Sequence, residues 1–300
     1  MNVKLSAGGA ILVVLTVLAL FPGLVAPFPR DYSDTLRYVD TPAGREWHYA
    51  PEAPSDHYPW GTDKYGYDML TRLAWGLRWS LASVAFTAFL RTVLGGGIGV
   101  MRALLRFGER HDRGFTPLAG IPSFVMVFFV IFPVTINSPL NSAGLFLYQC
   151  LAMTVFNLGG PIAAMSAKAA LVLRSSFVEA AVSAGAGKRW ILARHLMPYL
   201  TEEFWELFAE QTVDVLKMVG RLGIFFLFIG GTTRSYDPPI LTSTKGEVAG
   251  LIGLYRARLM SSRWLLAYPL TVYMTVLIGF RLFASGLRER ERRNRRSIGA

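Results

Sequence analysis

The stretch Phe177-Val-Glu-Ala-Ala-Val-Ser-Ala-Gly-Ala-Gly-Lys-Arg-Trp-Ile-Leu-Ala-Arg-His-Leu-Met-Pro198 decides how this chain is read. It is basic, rich in small residues and set between strongly apolar segments. Residues 178–184 form helix readily, and Ala180, Ala181 and Ala184 leave one face flat enough for another backbone to approach. Gly185 and Gly187 break that helix, because glycine adopts positive φ without steric cost. A second short helix fits residues 188–197, with Pro198 as its stop. Glu179 is the sole acid beside Lys168, Arg174, Lys188, Arg189 and Arg194. This basic helix–turn–helix reads as a docking element without catalytic residues. The plain alternative is an ordinary basic loop.

Around it, 52% of the 300 residues are hydrophobic and 17% are charged, with a mean hydropathy of +0.37. Soluble domains run nearer a quarter charged, so the composition specifies an integral membrane protein. The net charge of +11 does not argue for nucleic acid, since the basic residues fall mainly in short loops and a terminal tail, as the positive-inside rule expects. Cys150, the single cysteine, lies in an apolar run and reads as a small buried hydrophobe.

Hydropathy predicts six spans. Residues 5–29 carry no charge and can cross a hydrocarbon core of about 30 Å. The run is long for a signal peptide, and Pro27 after Ala26 spoils a cleavage site, so it reads as a retained first helix entering from the inside. Residues 30–78 form an external segment with Pro42, Pro51, Pro54 and Pro59. The second span, 80–101, contains Arg91 and ends at the Gly95-Gly96-Gly97 cluster and Gly99. Arg102, Arg106, Arg110 and Arg113 then place the next loop inside. Residues 114–167 carry no charge and fit spans at 118–136 and 142–160 around the turn residues 137–141. A fifth span is expected at 207–231, an external stretch with a short helix at 247–259, and a sixth span at 264–284. The stretch 177–198 thus falls inside, with Arg102 to Arg113.

The spacing of Glu179-Ala180-Ala181, Gly185 and Pro198 resembles the coupling-loop signature, or EAA motif, of ABC importer permeases. His195 stands where that family has a branched aliphatic residue, and Met197 where it has leucine. The resemblance implies that Glu179, Ala180, Ala181, Gly185 and Pro198 belong to a loop seated in a groove of an ATP-hydrolysing subunit.

A second stretch, from Trp60 to Leu81, reads physically as turns at Gly61 and Gly66 and a helix capped by Asp63 or Asp68. Leu70, Leu73 and Leu77 would give that helix an apolar face able to lie flat at the interface. The pattern Gly61-Thr62-Asp63, Gly66, Asp68 resembles the C-type permease subunit of the dipeptide, oligopeptide and nickel importer family, with Tyr67 where arginine is usual. Residues 264–290 look like the last span and exit of the same subunits.

These resemblances imply an all-α polytopic protein with six transmembrane helices and a type I ABC importer permease fold. Its parts would be a first helix at 1–29, an external loop with interfacial helix at 30–78, and a five-helix core at 79–290. That core would contain the coupling loop at 161–200, and a basic tail at 291–300 would follow. They also imply a sister permease, two ATPase subunits holding ATP and Mg, an external substrate-binding protein and membrane lipids as partners. The setting would be a bacterial or archaeal plasma membrane, with both termini inside. The cargo would be dipeptides or oligopeptides, with nickel or a metal–chelator complex as the alternative. The chain has no Gly-x4-Gly-Lys-Ser/Thr phosphate loop, so ATP hydrolysis is not expected of it. A membrane-embedded enzyme would need a nucleophile–base pair or clustered metal ligands in the spans, and none occurs. A receptor-type membrane protein would not require this helix–turn–helix.

Glu210, Asp214, Lys217 and Arg221 share one helical face. With a span ending near Gly231, Arg221 would lie about 15 Å deep, and Arg91 at a similar depth. Two readings follow. Either Arg91, Asp214, Lys217 and Arg221 line a translocation path for carboxylate-bearing cargo, or Glu210 and Asp214 neutralise the cations in an internal network. His48, His57 and His111 read as solvated loop residues, with no metal expected.

Overall fold

The structure, a computed structural model, describes residues 2–41, 44–105, 121–236 and 239–298. Arg106, Arg110, His111, Arg113 and Asp237 lie outside the described residues. Ten α-helices run in chain order: α1 Val3–Leu20, α2 Met69–Leu105, α3 Ser123–Thr135, α4 Ser142–Val155, α5 Gly159–Leu173, α6 Ser176–Ser183, α7 Lys188–Ile191, α8 Met197–Ile224, α9 Val248–Tyr255 and α10 Trp264–Ile298. Two antiparallel hairpins accompany them: β1 Leu36–Thr41 with β2 Gly44–Tyr49, and β3 Thr232–Tyr236 with β4 Pro239–Ser243. The membrane body is all-α, as expected.

Among the described residues, α1, α2 and residues 264–290 of α10 are long and apolar enough to cross a membrane. The pair α4 and α5 passes that test jointly, as one span bent by 51°. By this measure three or four crossings stand where six were expected. Helix α3 has only 13 residues, and α8 carries Glu202, Glu203, Glu206, Glu210, Asp214, Lys217 and Arg221.

Helix α2 corrects two expectations. Residues 69–78 are its first turns, not a separate interfacial helix, because the apolar stripe of Leu70, Leu73 and Leu77 continues directly into the span. At about 1.5 Å per residue α2 is roughly 55 Å long, well beyond a hydrocarbon core. Nor do Gly95 and Gly99 end it. A Cβ at Gly95 would lie 2.6 Å from Pro161 Cβ, and one at Gly99 would lie 2.6 Å from the Ile162 carbonyl oxygen. These glycines, four apart on one face, let α5 pack directly against α2.

The expected fourth span at 142–160 breaks after Val155 and resumes as α5 in a new direction. Pro161 has no N–H for the Asn157 carbonyl, and its ring obstructs a continuous helix there. The expected fifth span ends at Ile224, not at 231. Residues 225–231 are still apolar, but they follow a non-helical course, buried from Leu227 onward, with Phe226 at φ 62°. No separate tail begins at 291, because α10 continues to Ile298 through residues compatible with helix.

Packing forms two apolar cores. The larger joins Leu73 and Val84 of α2, Ile131 of α3, Met153 of α4, Leu216 of α8 and Leu251 of α9. The smaller gathers Leu104 of α2, Ala169 and Leu173 of α5, and Val178, Ile191 and Leu196 of the 177–198 stretch. Cys150 is buried and free.

Candidate functional site

Residues 176–198 fold into an exposed knuckle. Helix α6 closes with two bonds across its end: Gly185 N–H donates to the Val182 carbonyl at 2.9 Å, and Ala186 N–H to the Ala181 carbonyl at 3.0 Å. This pairing is a Schellman cap, and it requires the φ of +88° that Gly185 adopts. A Cβ at Gly185 would have nothing within 4 Å, so the backbone conformation alone demands glycine there.

Pro198 does not end the second helix, as the sequence reading held; it sits in the first turn of α8. The chain passes from α7 through a π-helical turn, Leu192–Leu196, and continues as α8. The wide turn relieves the clash of the proline ring with the carbonyl four residues earlier, and Met197 N–H donates to the Leu192 carbonyl instead. The expected coupling loop at 161–200 therefore narrows, since its first part is spanning helix α5.

The knuckle has a wet face and a dry root. Phe177, Glu179, Ala180, Gly185, Trp190 and Pro198 are exposed, and Ala181 is half-buried. Phe177 stacks on Tyr199 with centroids 5.8 Å apart, and Trp190 meets His195 edge-on at 4.8 Å. Val178, Ile191 and Leu196 point the other way, into the smaller core with α2, α5 and α8. Lys168 of α5 donates to Glu203 of α8 at 2.6 Å beside this root. The same short element is thus packed against three helices at once. Sequence reasoning missed the aromatic cluster of Phe177, Trp190, His195 and Tyr199, whose signal is four rings in a short, otherwise small-residue segment.

At the other end of α2, the residues Gly61, Thr62, Asp63, Gly66 and Asp68 form a clasp. Asp68 is the cap: its Oδ2 accepts from Thr71 N–H at 2.7 Å and from the Thr71 hydroxyl at 2.6 Å. Asp63 is fully buried. Its Oδ1 accepts from Tyr65 N–H at 2.8 Å and Tyr67 N–H at 3.0 Å, while its Oδ2 takes the Tyr255 hydroxyl of α9 at 2.6 Å and the Arg72 guanidinium. Thr62 Oγ1 accepts from Glu52 N–H at 2.8 Å, and the Thr62 carbonyl from the Trp264 indole at 3.3 Å. Gly66 has φ +78°, and a Cβ there would collide with the Asp34 backbone. This motif ties α2, α9 and α10 together. Tyr67, in the position where arginine was expected, lies under the Arg72 guanidinium at 5.0 Å.

The charges in the spans divide three ways. Arg91 is 2% exposed and donates through Nε at 3.1 Å and Nη2 at 2.7 Å to the Met153 carbonyl. It caps the end of α4 at the break before α5, so it is spent inside the chain and not on an open path. Asp214 and Lys217 pair at 3.2 Å on an exposed face, and they line a cleft of about 420 Å³ between α8 and α10. Glu210 pairs with Arg288 of α10, while Arg221 is exposed in the last turn of α8. The 15 Å depth expected for Arg221 fails with the earlier helix end.

The buried segment 227–231 is held by side chains the sequence reading did not single out. Phe228 N–H donates to Thr232 Oγ1 at 3.2 Å, Ile229 N–H to Glu247 Oε1 at 3.4 Å, and Gly230 N–H to Gln149 Oε1 at 2.9 Å. Non-helical backbone of this kind is stable only when the protein itself satisfies it. Glu247, ahead of α9, is fully buried, and desolvation pushes its carboxyl up to about 7. A lone amide, Gln149, in an apolar run was the available signal. No group of three or more His, Cys, Asp or Glu suited to a metal occurs among the described residues.

Fold and site together define a multi-pass helical membrane protein whose exposed knuckle is rooted in the ends of its helices. Residues 92–202, which contain that knuckle, match the family described as binding-protein-dependent transport system inner membrane component. The chain is 28% identical to the oligopeptide transport system permease protein OppC of Haemophilus influenzae, over 94% of this chain and 83% of that protein. It is 22% identical to the glutathione transport system permease protein GsiD of Escherichia coli O1:K1 / APEC, over 92% of this chain and 82% of the relative. To the probable D,D-dipeptide transport system permease protein DdpC of Escherichia coli strain K12 it is also 22% identical, over 95% and 86%. Over nearly its whole length the chain is thus similar to permease subunits of peptide importers, and the family match falls on the knuckle and the helices beneath it. It is a transport component of the membrane and not an enzyme, of a kind that works with ATPase and substrate-binding partners.

Proposed function

We propose that this chain forms half of the translocation path of a peptide importer and receives the force of ATP binding through its knuckle. The observation that carries the reading is the knuckle's construction. Glu179, Phe177, Trp190 and Tyr199 face outward, while Val178, Ile191 and Leu196 root the same element in α2, α5 and α8. Seated in the groove of an ATPase subunit, the knuckle would move those helices when the ATPases close. Two ATPase subunits would hold ATP and Mg, a sister permease would supply the other half of the path, and an external binding protein would deliver the cargo. The knuckle and both termini would face the cytoplasm of a bacterium or archaeon.

The relatives named for oligopeptides, glutathione and a D,D-dipeptide support peptide cargo. The cleft holding Asp214 and Lys217 is the candidate path surface, with Arg221 near its upper end and Arg91 as a positioning residue behind it. The test is peptide-stimulated ATP hydrolysis by the reconstituted complex, comparing wild type with Glu179→Lys and checking assembly alongside. The variant is expected to assemble and to lose both stimulated hydrolysis and uptake. Unchanged hydrolysis and uptake would remove the knuckle from the coupling role.

A further inference from the structure

At the hairpin end, which the proposed orientation places outside, α2 and the turn after β4 enclose a cavity of about 380 Å³. That size falls within the roughly 300–1,000 Å³ of small-ligand pockets. Its walls include Arg30, Asp31, Tyr65, Trp75, Ser243 and Lys245. Arg72 also lines it, but its charge is spent on Asp63. Arg30 and Lys245 make no ion pair among the described residues. Lys245 rests over the Trp79 ring at 4.9 Å. Burial first, and then the charge of Arg30, push the Lys245 ammonium below the ordinary lysine range. These two cations repel each other at one cavity, and its one acid, Asp31, makes an ion pair with neither. Two donors are also left over in its walls, because Trp75 Nε1 and Tyr65 Oη are buried without a hydrogen-bond partner.

The cavity is built before any ligand arrives. A Cβ on Gly76 would fall 1.9 Å from the Gly246 carbonyl oxygen, so α2 and the 243–246 turn are in backbone contact. Gly246 N–H donates to Ser243 Oγ at 3.0 Å, fixing the turn that carries Lys245. The Asp63 clasp holds the start of α2 from the other side.

We propose that this cavity is a subsite for the carboxylate of a short peptide cargo, taken between Arg30 and Lys245 as the cargo passes from the binding protein to the path. The assignment rests on the peptide-importer reading above. Asp31, the one acid in the lining, suits the ammonium of the same zwitterion. Charge-assisted bonds to two cations discriminate strongly between a carboxylate and a neutral amide.

The test uses the complete complex in liposomes with its binding protein, and measures uptake of trialanine and of trialanine amide. Wild type, Lys245→Gln, Arg30→Gln and Lys245→Arg are compared. The acid-to-amide uptake ratio is expected to fall by about tenfold in Lys245→Gln and Arg30→Gln, and to be retained in Lys245→Arg. A ratio unchanged in both glutamine variants overturns the proposal. If both rates fall together at constant ratio, the cations serve to dock the binding protein instead. If wild type takes up neither compound, the peptide reading itself fails and the subsite falls with it.

Discussion

A buried charge in a span can serve the backbone as easily as a substrate, and Arg91 does so here. The break after Val155 leaves the last carbonyls of α4 without helical partners, and the Arg91 guanidinium and the Asn157 amide converge on that of Met153. Glu247 is the opposite case, a carboxyl whose Oε2 finds no partner. Its folded value of about 7 stands above the usual 4.5. Between those values the unfolded chain has released the proton while the folded chain still holds it. Stability is therefore full at the acid end of that window and falls as pH rises through it, by up to about 3 kcal/mol. Glu247→Gln is expected to flatten the pH dependence of thermal unfolding in detergent between pH 5 and 7.5. Parallel curves for variant and wild type would assign the dependence to another group.

Among the elements, the knuckle turn depends most on a single backbone angle. Gly185 holds φ at +88° in open surroundings, so substitution costs conformation and not space. Gly185→Ala should destabilise the turn by about 1 kcal/mol, and the β-branched Gly185→Val by more. Because the helices beneath are untouched, the complex should still assemble. The expected result is a graded loss of peptide-stimulated ATP hydrolysis, alanine milder than valine, with expression and subunit stoichiometry unchanged. Equal activity in all three proteins would mean that the Schellman geometry is dispensable for docking.

At the scale of the whole molecule, what the sequence disclosed was local and what it hid was tertiary. The knuckle was legible because Glu179, Ala180, Ala181 and Gly185 set their own structure within a few residues. The end of α8 was not, because residues 225–231 stay apolar after the helix stops, and their backbone partners Gln149 and Glu247 lie far off in sequence. Gly95 and Gly99 could signal either a helix end or close packing, and only the position of α5 decides between them. Glu210 looked like a partner for its own helix, yet its cation is Arg288 on α10. The same distinction predicts how force travels. Ile191 is 1% exposed in the small core that joins the knuckle to α2, α5 and α8. Ile191→Ala opens a cavity at that root at a cost of about 2–5 kcal/mol, while the outward face that would meet the ATPase keeps its residues. Hydrolysis should then continue while peptide uptake per ATP falls, measured in the same liposomes. If uptake per ATP matches wild type, motion reaches the path by a route other than this core, with the Lys168–Glu203 pair between α5 and α8 as the next link to cut.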